Sequence, residues 1–224
     1  MKYLLSAILI FQYFLIADTE KFAAMNPVDA KIFMDQLRQE MQKVKTIAFD
    51  FYQEKHLVLF DDALHLKGWC YVEKPNKIRW EYISPIQKKI LLCNDKIRVY
   101  KGLEEISLEE NQGFLLVYKY ILGFFEGTFS IDTSHFICTL KQAKEDQDIF
   151  LVEMKSQGKL TQFIDHIEMK ISKKASRLIE FLLFEPNGDY TRIGVGSYIL
   201  NPRLSPGLFD TKIIKEFQDG FFQR

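Results

Sequence analysis

The sequence carries no surplus of either charge. Thirty Lys and Arg residues stand against thirty Asp and Glu. That balance speaks against nucleic acid as a main partner, because neutralising phosphates takes a basic excess on some face. Cysteine is scarce and odd in number: Cys70, Cys93 and Cys138. In an oxidising compartment an odd count leaves at least one thiol unpaired. A Cys70–Cys93 bridge between neighbouring strands is open; so is the plainer reading that all three are small apolar side chains in the core. No apolar run reaches the roughly 20 residues that a bilayer span needs. There is no Ser nucleophile elbow, no phosphate loop and no zinc-ligating pair at helical spacing. The histidines, His56, His65, His135 and His166, lie far apart in the sequence, and His65 and His166 fall on polar strand faces. The acidic pairs Asp61-Asp62, Glu104-Glu105 and Glu109-Glu110 are expected in turns or loops. Neighbouring strand residues point to opposite faces, so such pairs do not serve together as acid and base. Gly194-Val195-Gly196 has no helix after it and is no dinucleotide loop. No catalytic residue, metal ligand or cofactor site emerges, and the chain reads as non-enzymatic. Internal repeats, low-complexity linkers and a second domain are missing too.

What is abundant is apolar surface. Apolar residues make up 47% of the 224, and twenty are Phe, which brings large area with no polar handle. That calls for either a generous core or a lined cavity. At the N-terminus, Lys2 precedes the nearly uncharged run YLLSAILIFQYFLIA, residues 3–17, and Asp18, Glu20 and Lys21 end it. Its length suits the core of a signal peptide, residues 1–17. Cleavage after Ala17 fits, although Leu15 is large for its place; an uncleaved anchor is the alternative. No Cys follows the run, so the N-terminus is not expected to carry a lipid.

The spacing then predicts one amphipathic helix. Asn26 caps it, Pro27 suits its first turn and Asp29 its positive end. Met34, Leu37, Met41 and Val44 recur at helical steps. Beyond it the period changes to two. Ile47, Phe49 and Phe51 share one face; Leu64, Leu66, Cys70 and Val72 share another; so do Ile78, Trp80 and Tyr82. Runs at 88–93 and 97–100 follow. Turn chemistry separates them at Lys74-Pro75-Asn76, Ser84-Pro85 and Asn94-Asp95. Further strands are expected at 136–141, 149–155, 163–172, 178–185 and 190–200, with Asn187-Gly188 as a two-residue hairpin turn. Short strands joined by tight turns read as an antiparallel meander with one apolar face. Between the two sets, residues 114–125 (FLLVYKYILGFF) are apolar almost all round. Read as a helix, this segment needs cover on both sides; the strand propensity of Tyr, Val and Phe leaves that assignment open.

Residues 68–85 read GWCYVEKPNKIRWEYISP. Here the chain resembles the periplasmic outer-membrane lipoprotein carriers, the LolA-like family. The pattern is a Gly-containing strand, a basic-Pro turn and an aromatic strand, for which Arg79-Trp80-Glu81-Tyr82 is a close match. Asp50-Phe51-Tyr52-Gln53 resembles the family's first strand. Thr191-Arg192-Ile193 and the tail from Asn201-Pro202 to Phe209 resemble its last strand and terminal motif. The resemblance covers most of the chain, and its order and spacing are more specific than any single motif. It implies a mainly β, α+β fold: a strongly curved antiparallel sheet forming an incomplete β-barrel, residues 18–224, under a helical lid. It implies a periplasmic chaperone that encloses acyl chains of lipoproteins and carries them from the inner to the outer membrane. Its partners would be acylated lipoproteins, an inner-membrane lipoprotein-releasing transporter and an outer-membrane lipoprotein receptor. No cofactor is implied, and a monomer is expected. A lipid- or lipoprotein-sensing module on the same half-barrel, or a carrier of other lipids, is the alternative.

Carried over residue by residue, Ile78, Trp80 and Tyr82 fall on the family's inward face and become candidate cavity lining, with Ile90 and Leu92 on the next strand. Plain core packing is their other reading. Phe114, Leu115, Tyr118, Ile121 and Leu122 would form the lid or cavity mouth; an ordinary buried helix is the alternative. Lys74 stands where the family often has an Arg that bonds the lid backbone in the closed state. Lys has fewer donors and no planar fork, so it is either a looser lid contact or an exposed turn residue.

Overall fold

The computed structural model describes residues 21–94, 96–102, 104–106, 122–128 and 135–210. The expected signal peptide and the lid candidates Phe114, Leu115, Tyr118 and Ile121 lie outside them.

A short strand, β1 (Phe22–Ala24), leads into helix α1 (Pro27–Lys43). The Asn26 side chain accepts from the N–H groups of Val28 and Asp29 at 3.1 and 2.9 Å, meeting two donors that the first turn leaves unpaired. Helix α1 buries Ala30, Phe33, Met34, Leu37 and Met41; of the expected stripe, Val44 falls just past the helix in extended backbone and is buried there. The chain continues through β2 (Thr46–His56), β3 (Leu64–Glu73), β4 (Lys77–Ser84), β5 (Lys88–Cys93), β6 (Lys96–Lys101) and β7 (Glu104–Ile106). A helical turn covers 122–126. Then come β8 (Phe136–Ala143), β9 (Ile149–Ser156), a 3-10 turn (Gly158–Gln162), β10 (His166–Ser172), β11 (Arg177–Phe184) and β12 (Tyr190–Leu200).

The strands form one sheet in the order β1-β8-β9-β10-β11-β12-β2-β3-β4-β5-β6-β7. Its ladders are antiparallel throughout. The ends β1 and β7 do not pair, so the barrel stays open. Inward residues of β2–β6 and of β8–β12 join one cluster with the buried side of α1, which requires the sheet to wrap around the helix.

Several details depart from the sequence reading. Strands β1 and β7 were not expected; Glu104 and Glu105 sit in a short, exposed edge strand, and charge with brevity blunts such an edge against further pairing. The β11–β12 connection is longer than two residues: Glu185 N–H donates to Asp189 O at 2.8 Å, and Gly188 N–H to Glu185 O at 3.0 Å. The Asn187 carboxamide accepts from Asp189 N–H instead of leading a tight turn. No disulfide forms between Cys70 and Cys93. Cys70 is buried on the inner face, and Cys93, opposite Lys77, lies on the outer one.

The outer face is also not uniformly wet. A second cluster joins Ala48, Tyr71, Leu91 and Tyr100 on the sheet to Leu208 and Phe209 of the segment after β12. That segment is tied at its start, where Asn201 accepts from Lys45 N–H at 2.7 Å and Thr46 Oγ1 donates to Pro202 O at 2.7 Å. It then crosses the back of β2–β5. Arg79, on the face opposite Ile78, Trp80 and Tyr82, is only 1% exposed because this strap covers it.

Candidate functional site

The inner face of β2–β5 is built by alternation. Strand β4 turns Ile78, Trp80 and Tyr82 inward, where they are 1%, 3% and 8% exposed. Ile90 and Leu92 join them from β5, across from Trp80 and Ile78. All five lining candidates therefore share one face. Phe49 and Phe51 of β2 complete the wall: the Phe51 ring lies 4.4 Å from Trp80 and 5.3 Å from Tyr82, and Phe49 meets Trp80 edge-on at 5.9 Å. The sequence reading placed both phenylalanines on one strand face without naming them as lining. Their period-two spacing held the signal.

Gly68 sits directly across from Phe51. A Cβ there would lie 1.9 Å from Glu81 O and 2.7 Å from the tip of the Phe51 ring, so only glycine lets that ring lie flat toward Trp80. Gln53 has a purpose as well. It is buried, and its Oε1 accepts from the Tyr82 hydroxyl at 2.9 Å. Each polar end satisfies the other in an apolar wall.

Two helical pieces close the rim where β3 meets β4. Helix α1 spans the sheet: Phe33 stacks on Phe150 of β9 at 4.1 Å, while Lys74 N–H donates to Lys45 O, just beyond the helix, at 2.9 Å. The turn at 122–126 lies against α1, and its Phe125 ring reaches Phe49 at 5.5 Å. Leu122 is buried there at 8% exposure. A Cβ on Gly127 would come within 2.9 Å of Arg38 O, and its φ of 69° lies in the left-handed region that favours glycine. The two pieces therefore pack backbone to backbone, with a void of about 10 Å³ between Met34, Leu37, Met41 and Phe124.

The Lys74-Pro75-Asn76 turn holds both pieces. Lys74 Nζ donates to Met41 O at the C-terminal end of α1, where a cation also meets the negative end of the helix dipole. Asn76 N–H donates to the Glu126 carboxylate at 2.8 Å. Partial burial lowers the Lys74 pKa, and the Glu126 charge opposes that shift. Lys74 is thus no free turn lysine.

His56 and His65, far apart in the sequence, both approach the Glu54 carboxylate, at 3.9 and 4.0 Å. His65 pairs with Tyr52, His56 stacks on Tyr190 and His166 on Phe184. Among the described residues no group of three His, Cys, Asp or Glu side chains is placed to hold a metal.

An open antiparallel half-barrel with an apolar inner wall, closed at one rim by helices that a polar turn secures, defines a class of proteins built around a hydrophobic interior. Residues 42–212 match the family model described as outer membrane lipoprotein carrier protein LolA, and the chain belongs to that family. An outer-membrane lipoprotein carrier protein of Helicobacter hepaticus is 23% identical over 120 residues, 50% of this chain and 65% of that protein. The chain thus aligns with about two thirds of this relative's length. Among solved structures, a DUF1329 family protein from Desulfovibrio piger aligns with a TM-score of 0.47 at 14% identity, over 85% of this chain and 100% of its own. A LolA superfamily protein from Nitrosomonas europaea aligns at 0.41 and 8%, over 80% and 96%. The MucA/MucB complex of Pseudomonas aeruginosa aligns at 0.43 and 9%, over 81% and 60%.

Proposed function

We propose that this protein is a monomeric periplasmic carrier, exported by its N-terminal segment, that takes the acyl chains of lipoproteins between its inner wall and its helices. It would receive them from an inner-membrane lipoprotein-releasing transporter and yield them to an outer-membrane receptor. Family membership supports the reading, and one observation carries it. The broad apolar wall of Ile78, Trp80, Tyr82, Ile90 and Leu92 lies beneath helical pieces fastened by a few polar contacts. Residues 114–125 would extend that cover.

Part of the inner wall is covered by the protein's own side chains: Phe125 lies on Phe49, and α1 buries Phe33, Met34, Leu37 and Met41. The void beside Phe124 has room for about one water. Cargo enters, therefore, by lifting the 122–126 turn and tilting α1, after which acyl chains replace Phe125 and its neighbours against Phe49 and Trp80. Each methylene removed from water contributes about 0.8 kcal/mol, so binding needs no chemistry. Release needs the lid to open or a receptor to compete.

Purification from the periplasm, followed by mass spectrometry of what accompanies the protein, tests the reading. Acylated proteins are the expected companions. Phospholipid alone would reassign the chain to another lipid cargo, and an empty protein that takes up no lipid would end the proposal.

Lys74→Ala is expected to leave folding intact, with a loss of about 1 kcal/mol for one hydrogen bond. It should speed transfer of a bound lipopeptide to acceptor vesicles. Thermal unfolding together with a fluorescence transfer assay separates the two effects; unchanged transfer kinetics would remove Lys74 from the lid.

A further inference from the structure

Near the end of β12 the ladder slips. Val195 pairs with Phe51 and Tyr198 with Phe49, so Gly196 and Ser197 together oppose the single residue Asp50. This is a β-bulge, and bulges re-aim the side chains that follow them. Asp50 braces it from the outer face: its Oδ1 accepts from Ser197 N–H at 2.7 Å. A Cβ on Gly196 would fall 2.4 Å from Asp50 Oδ2, so the carboxylate fits only because residue 196 is glycine. With the bulge in place, Tyr198 faces the inner wall; without it, Ser197 would.

The Tyr198 ring stacks on Phe49 at 5.7 Å, and Phe49 touches both Trp80 and Phe125. Tyr198 is thus next to the place where cargo would displace the helical cover. Its hydroxyl is fully buried and has no hydrogen-bond partner. Burial holds its pKa far above the ordinary value, which keeps it a neutral O–H donor. Arg177 lies close enough to act electrostatically on this phenol, and its Nε is likewise buried with no partner. Burying a donor without an acceptor costs free energy, and phenylalanine would fill the same space without that cost. Two such donors, with no protein acceptor supplied, leave room for an acceptor that arrives with the cargo.

We propose that the Tyr198 hydroxyl, assisted by Arg177, binds an ester carbonyl at the glyceryl end of the acyl chains, and so fixes how deeply they enter. An ester carbonyl is an uncharged acceptor attached to long alkyl chains, which suits an apolar wall that carries these two buried donors. The inference rests on the carrier reading. Lipoprotein acylglycerol and phospholipid share this group.

The test uses the purified full chain with four probes: a dipalmitoylglyceryl-cysteinyl peptide, its dihexadecyl ether analogue, and dispersed ester- and ether-linked phosphatidylglycerol. Wild type is expected to hold the ester peptide about tenfold more tightly than the ether, the worth of one hydrogen bond made in a dry site. Tyr198→Phe should bind both at the ether level, with lipid-free thermal stability equal to or above wild type. An ester preference for the peptide alone would assign the site to lipoproteins, and the same preference for phosphatidylglycerol would assign it to acylglycerols in general; either supports ester recognition. Equal binding of ester and ether by wild type, or an ester preference that survives in Tyr198→Phe, overturns it while leaving the carrier reading in place. Failure of wild type to bind any of the four overturns both.

Discussion

Gly68→Ala is expected to prevent the native sheet from forming, with a loss of more than about 4 kcal/mol. The added methyl would stand 1.9 Å from the Glu81 carbonyl oxygen of the neighbouring strand. That oxygen belongs to backbone and cannot swing away. Relief requires β3 and β4 to separate, at the slip in register between Lys67 and Gly68. The same methyl would push on the Phe51 ring, which sets the position of Trp80 and Tyr82. A second substitution distinguishes the two contacts. If crowding of Phe51 were the main trouble, Gly68→Ala with Phe51→Leu would recover the fold. The geometry predicts no recovery, because the backbone clash persists. Circular dichroism during heating reads both variants, and a wild-type transition in Gly68→Ala would refute the account.

How much of this could be read from the sequence depended on whether a signal was local. The α1 cap at Asn26, the shared face of Ile78, Trp80 and Tyr82 and most strand spans follow from local residue chemistry and from periods of 3.6 and two, and these were legible; the inward direction of that face came from the family resemblance. Sheet order was not legible, because nothing local in β12 announces that it pairs with β2. Arg79 shows the limit of alternation. The pattern put it on an outer face, correctly, but an outer face is wet only if nothing lies over it. The strap that buries Arg79 through Leu208 comes from 129 residues further along the chain. The inward place of Tyr198 was not legible either, since strict alternation through β12 would turn Ser197 inward and a bulge cannot be counted from spacing alone. Lys74 was legible only as a choice between a lid contact and an exposed turn residue; its Nζ donates to Met41 O, and the transfer kinetics of Lys74→Ala decide whether that contact holds a lid.

Arg79→Met is expected to cost about 3–5 kcal/mol, the range for removing one partner from a buried ion pair. The guanidinium is 2% exposed and the Glu81 carboxylate 16%. Arg79 donates from Nε and Nη2 to Glu81 Oε2 at 3.0 and 2.8 Å, and from Nη1 to Leu208 O at 2.9 Å. Lys89 approaches the other carboxylate oxygen at 3.5 Å. Methionine fills most of the volume but supplies none of the three donors, so a partly buried carboxylate and the carbonyl of the strap lose their main partner. Two things should then fail together: the urea midpoint should fall, and the segment 201–210 should become sensitive to protease, since Leu208 and Phe209 lose their anchor. Adding Glu81→Leu should return a large part of the loss, because an apolar pair of similar volume removes the stranded charge, although the Leu208 carbonyl and Lys89 keep the recovery incomplete. Lipid binding should suffer less than stability in these variants, since Arg79 and Glu81 face away from Trp80 and Tyr82. A midpoint unchanged in Arg79→Met would mean the strap is held by Leu208 and Phe209 alone, and the polar half of its attachment would be without consequence.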